Sequence, residues 1–179
     1  MKNLYSSILI VIVALFVFAP LADAKPPFWD DQINNPGRFQ KLKEFSDAAV
    51  LDKETGLVWE QSPDTTQRTW VDALSHCTQK TVGGRKGWRL PTIEELASLV
   101  DPNNPTGDPD LPLGHPFNVQ SNVYRSATTF AGDSSIAWSM RFDNGSVSSG
   151  FLKTDTLFVL CVRGGQGIDG TGQGNGGTT

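Results

Sequence analysis

Only two cysteines, Cys77 and Cys161, occur in the chain, and whether they pair is the strongest single constraint on what it can fold into. The N-terminus bears on that question. Lys2 precedes an uncharged apolar run from Ile8 to Ala19, followed by Pro20 and the small-residue pattern Ala22-Asp23-Ala24. This is the order of a secretory signal peptide, residues 1–24, with cleavage expected after Ala24. The apolar run is shorter than the roughly 20 residues a spanning helix needs, and no other segment could cross a membrane. The mature chain is expected to be exported, periplasmic or secreted, and in an oxidising compartment two cysteines predict one Cys77–Cys161 disulfide. Two buried free thiols are the alternative.

Cys77 sits in a legible helix. Thr69 with Asp72 three residues on is a weak capping box, and Trp70, Ala73, Leu74 and Cys77 recur at i, i+3, i+4 and i+7. The cysteine is thereby placed on a buried stripe. A stronger start signal follows in Gly87-Trp88-Arg89-Leu90-Pro91-Thr92-Ile93-Glu94-Glu95-Leu96. Thr92 and Glu95 form a full capping box, Pro91 keeps Leu90 extended, and Ile93, Leu96, Leu99 and Val100 give one apolar face. Arg89, between two apolar neighbours, is expected to be partly buried and to seek an acidic partner.

The remaining segments read as sheet and loop. Residues 25–45, with Pro26, Pro27 and Asn34-Asn35-Pro36-Gly37, read as a linker or arm with Phe28, Trp29 and Phe39 as docking points. Ala49–Asp52 and Leu57–Glu60 flank a Gly56 turn as a hairpin. Asp101 to Phe117, rich in Pro, Asn, Gly and Asp, reads as a long irregular connection. Its Asp101, Asn103, Asp108 and Asp110 are weak calcium candidates, although such residues also populate ordinary turns. In Trp138–Phe142 large apolar residues alternate with Ser139 and Arg141, which predicts one buried and one solvent face. Asn144-Gly145 predicts a tight turn and Val147–Leu152 a return strand. Phe158–Val162, apolar on both faces, reads as a central strand that places Cys161 mid-sheet. From residue 167 to 179 the tail is too glycine-rich to pack. One domain, residues 46–166, is therefore expected.

Composition narrows function by exclusion. The formal net charge is −4, and no basic stripe of the kind that binds DNA or RNA is present. Trp59, Trp70, Trp88 and Trp138 fall at inward positions of these elements, so they are assigned to the core rather than to a sugar-stacking platform.

Four segments, Thr55-Gly56-Leu57-Val58-Trp59, Trp70 to Cys77, Gly87 to Thr92 with Glu95-Leu96, and Cys161-Val162-Arg163-Gly164-Gly165, together resemble the Lcl C-terminal domain family. That family takes its name from a bacterial collagen-like adhesin associated with sulfated polysaccharide. The resemblance implies an α+β, C-type lectin-like fold: two helices on small antiparallel sheets with a long loop. It also implies an exported, non-catalytic binding or adhesion module. The partner would be an anionic glycan or, alternatively, an envelope or extracellular protein. Where members carry Tyr-Trp-Ser-Ser-Thr, this chain has Tyr124-Arg125-Ser126-Ala127-Thr128, so an aromatic position becomes cationic. Arg125, Arg141 and Lys153 are the candidate ligand contacts, because guanidinium and ammonium groups pair with sulfate or carboxylate.

Catalysis is the rival. Arg89-Leu90-Pro91-Thr92 also resembles a segment of the formylglycine-generating enzyme family, which uses a late cysteine pair; here only Cys161 stands late. His76 adjoins Cys77, but neighbouring helix positions point about 100° apart. His76 reads as an exposed helix residue and His115 as a loop residue. No catalytic residue and no cofactor are assigned.

Overall fold

The computed structural model describes residues 37–101, 104 and 109–164. The expected signal peptide, most of the expected arm, Asn103, Asp108 and the glycine-rich tail lie outside them.

The chain is α+β. Strands β1 (Phe39–Lys41), β2 (Ala49–Asp52) and β3 (Val58–Glu60) come first. Helices α1 (Trp70–Gln79) and α2 (Ile93–Ala97) follow, then β4 (Val123–Thr129), β5 (Ala137–Arg141), β6 (Val147–Ser148) and β7 (Val162–Arg163). Two antiparallel sheets result, β1-β2-β3-β7 and β4-β5-β6. Among the described residues, no helix is long and apolar enough to cross a membrane.

Local signals formed as their chemistry requires. The Thr92 side chain accepts from the Glu95 amide, and the Glu95 carboxylate accepts from the Thr92 amide at 2.8 Å. Arg89 donates to both oxygens of that carboxylate, at 2.7 and 2.5 Å. One carboxylate therefore starts the helix and neutralises the half-buried guanidinium. Burial raises the Glu95 pKa, but the Arg89 and Thr92 bonds outweigh it and leave the group below its ordinary value. At α1 the Thr69 side chain accepts from the Asp72 amide, while the Asp72 carboxylate accepts from the Thr69 hydroxyl instead of from the Thr69 amide. Ala73 and Cys77 are fully buried; Trp70 and Leu74 are half-buried.

Period-two alternation sorts the first sheet between two apolar clusters. Val50, Trp59 and Val162 lie side by side across β2, β3 and β7, and pack with Leu96, Leu99, Tyr124, Phe142 and Leu160. Ala49 faces the opposite way, into Ala73, Cys77, Trp88, Leu90, Val159 and Cys161. The segment 157–162 feeds both clusters, with Leu160 and Val162 in the first and Val159 and Cys161 in the second.

That division explains where the sequence reading of Phe158–Val162 fails. The segment is apolar on both faces, but it is not a central strand: it crosses from Tyr124, where Phe158 makes a parallel bridge, to β7. Only Val162–Arg163 has regular pairing, and Cys161 precedes it. The disulfide itself is present, with Cys77 and Cys161 Cα atoms 5.5 Å apart.

Two other differences matter. Phe39–Lys41, read as part of the arm, pairs with β2. It is fastened by buried Arg38, which donates to both Asp52 oxygens at 2.9 and 2.8 Å and to the Ser98 carbonyl at 2.6 Å. Periodicity over three residues could not reveal a strand held by an ion pair 14 positions away. Beyond β6, the expected return strand touches its partner again only at Leu152, opposite Ile136.

Candidate functional site

The three cations singled out from the sequence do not form a face. Arg125 lies within β4, where Val123 to Ser126 are all buried, and its residue exposure is 0%. Its Nη2 donates to the carbonyls of Asp155 at 2.7 Å and Leu152 at 3.3 Å; Nε and Nη1 have no partner. Burial lowers its pKa. Arg125 is an internal fastener of the 152–155 segment and cannot meet a ligand. Arg141 is half-exposed and forked onto Asp143 at 2.7 and 3.2 Å. It stands opposite Val123, at one end of β4. Lys153 is at the other end, donating to Thr129 at 2.8 Å with its ammonium 4.2 Å from the centre of the Trp70 ring. Ser139, expected on the same open face, is buried and donates to the Ser148 carbonyl. The outer face of this sheet is covered, so alternation did not report solvent.

Of the calcium candidates, Asp101 and Asp110 are described. Both are buried, and the Asp101 amide donates to the Asp110 carbonyl at 3.1 Å. Burial and the neighbouring Asp101 raise the Asp110 pKa. Among the described residues, no group of three or more His, Cys, Asp or Glu side chains is placed to hold a metal ion.

The cationic face lies elsewhere. Phe45 ends the short 3-10 turn Lys43–Phe45, packs edge-on against Trp88, and carries two guanidinium groups on its ring. Arg85 lies 5.1 Å and Arg163 5.7 Å from the ring centre. Lys43 and Lys86 flank them in sequence and are exposed; Glu44 and Asp47 are the exposed acids of the same turn. The Phe45 ring holds both planar cations close to it, and aromatic attraction offsets part of the cost of bringing two like charges near one residue. Gly83-Gly84-Arg85-Lys86-Gly87 shows half of this patch as two cations in a glycine turn. Arg163, from β7, arrives only through folding.

Beside the Val82-Gly83 turn is an open cleft of about 360 Å³ with a mixed polar and apolar lining, including Ala48, Glu60, Ser62, Asp64, Lys80 and Thr81. Glu60 and Lys80 form an ion pair at its base. The Lys80 ammonium also lies 3.2 Å from His76 Nε2, and that nitrogen is 3.5 Å from Asp64. Burial raises the Glu60 carboxyl despite Lys80. Burial also tends to raise Asp64, but Arg68 and the Thr66 amide bring it down to about 2. His76 is pushed below its ordinary value by burial and by Lys80 and Arg68, against Asp64. His76 thus belongs to this charged cluster rather than being a free surface residue. His115 accepts from the Phe117 amide at 3.2 Å and stacks on that ring, as a loop residue.

The model of the Lcl C-terminal domain matches residues 48–163, which covers every strand of the two sheets except β1, both helices and the disulfide. The chain belongs to the Lcl C-terminal domain family. The match begins at the β2 edge and ends with Arg163, so β1 and its Arg38 anchor lie outside it. No curated protein matches the chain.

Proposed function

We propose that this Lcl C-terminal domain protein is an exported, non-catalytic binding module for an anionic polysaccharide, held on the Phe45 face. The observation that carries the reading is the approach of Arg85 and Arg163 to one ring, with exposed Lys43 and Lys86 close in sequence to Phe45 and Arg85. Guanidinium groups fixed against an aromatic surface present their donors to sulfate or carboxylate with little side-chain entropy left to lose. The signal-peptide pattern supports export, and the closed disulfide supports it independently. Both cysteines are consumed in that bond, which leaves a thiolate mechanism without its nucleophile. A C-type lectin-like arrangement is part of this proposal.

Retention on immobilised heparin in a salt gradient tests the assignment. The combined substitution Arg85→Ala, Lys86→Ala, Arg163→Ala is expected to elute at clearly lower salt, because each lost ionic contact weakens the salt-dependent component of binding. Unchanged elution by a folded triple variant would remove the proposed face.

A further inference from the structure

We propose that the cleft beside the disulfide is a subsite for one uncharged, polyhydroxylated ring, a neutral sugar unit of the same polysaccharide. The inference rests on the glycan reading for the identity of the chain and on the cleft's own chemistry for the character of the ring.

Its size is near the lower end of small-molecule sites, enough for one ring rather than a long segment. Its groups are both donors and acceptors. Lys80 has three N–H bonds, and Glu60 and His76 engage two of them. Asp64 has its side chain 43% exposed, with acceptor capacity beyond its bonds from Arg68 and Thr66. Ser62 receives a bond from Asn118 at 3.1 Å and keeps its own hydroxyl proton to give. Ala48 and Val82 supply an apolar wall for the C–H face of a ring.

Charge then selects. The charges at the cleft are already paired, Glu60 with Lys80 and Asp64 with Arg68, so an ion of either sign finds no unpaired counter-charge, whereas hydroxyl groups can add to the remaining donors and acceptors without disturbing the pairs. Hydroxyls donate to carboxylates and accept from ammonium with the same atom.

The floor is also rigid. The Glu60 amide donates to the Cys161 carbonyl and the Cys161 amide to the Glu60 carboxylate, while the Lys80 amide donates to the Cys77 carbonyl. Each floor residue is therefore fixed to one half of the disulfide. The wall is fixed too: Gly83 has φ +55°, and a Cβ there would collide with the Phe45 backbone. Val82 and Arg85 bridge each other, so the turn that closes the cleft on one side bears Arg85 on the other. A polysaccharide crossing this turn can seat a neutral ring in the cleft and an anionic group on the Phe45 patch.

The test is an amide NMR titration of the purified protein at pH 7 with N-acetylglucosamine and methyl galactoside, and with glucosamine and glucuronate as charged counterparts. Saturable shifts at Gln61, Ser62, Thr81 and Gly83 are expected with at least one neutral ring, and weaker ones with both charged rings. Ser62→Ala with Thr81→Val, two exposed positions, should lower that affinity about fivefold or more. No saturable shifts with either neutral ring, shifts centred elsewhere, or tighter binding of a charged ring would overturn the proposal. The two readings separate cleanly, because the rim variant should keep heparin elution and the Arg85, Lys86, Arg163 variant should keep the monosaccharide titration.

Discussion

Glu60 and Cys161 are joined twice: the Glu60 amide donates to the Cys161 carbonyl at 3.1 Å, and the Cys161 amide donates to the Glu60 carboxylate at 3.3 Å. The crosslink thus lies directly behind a buried acid. Replacing both cysteines with serine opens a loop with a sequence separation of 84, for which chain entropy sets an upper figure of about 4–5 kcal/mol. A loss of about 2–4 kcal/mol in urea unfolding is expected. The amides of Glu60 and Lys80 should exchange faster than those of α2, which has no bond to either cysteine.

Lys80→Met leaves the Glu60 carboxylate buried without its partner, and should cost about 2–3 kcal/mol at pH 7. Burial already pushes the Glu60 carboxyl up, so at pH 5 the acid takes a proton more readily and the cost should shrink. Denaturant midpoints at the two pH values check this. A cost that grows on acidification would contradict the role given to Glu60.

His76 supplies a pH dependence of defined sign. Its pKa is lowered in the folded chain by burial, Lys80 and Arg68, so the unfolded chain binds that proton more readily. The associated stability is present above the ordinary histidine value of about 6.5 and is lost as pH falls through the folded value. His115 is lowered by burial in the same direction, so the comparison must be by difference. His76→Gln should flatten the decline in melting temperature between pH 7.5 and pH 5 relative to the parent, and a parallel decline would argue against it.

Thr92→Ala removes the oxygen that caps α2 and should cost about 1 kcal/mol. Glu95→Gln should cost more, since the same carboxylate also receives both bonds from Arg89. Thermal unfolding of the two variants gives the order directly.

Arg125→Met should leave heparin elution unchanged, because the residue is enclosed. Its removal also relieves two unpartnered nitrogens, Nε and Nη1, while depriving the Leu152 and Asp155 carbonyls, so stability should change by no more than about 1 kcal/mol. A large fall in retention would return Arg125 to the binding surface.

What could be read in advance was local. The Thr92–Glu95 box, the Gly56 hairpin and the need of Arg89 for an acidic partner each rest on residues a few positions apart; that Glu95 is that partner came from the structure. The sequence failed where a second layer intervened. Ser139 and Arg125 obey strand alternation, yet the side they face is covered, because alternation separates two faces and does not say which of them meets water. The Phe158–Val162 run signalled burial on both sides correctly, but two clusters flanking a crossing segment leave the same pattern as a central strand.

From residue order alone came the α+β class, the family, the capped helices and the pairing of the only two cysteines, since each rests on short-range stereochemistry or on there being one possible partner. Folding alone decided where charge would gather. Arg163 reaches Phe45 from the end of the chain, Lys80 reaches Glu60 across the disulfide, and Arg125 is withdrawn inside, because contacts between distant segments follow from how the two apolar clusters close around them.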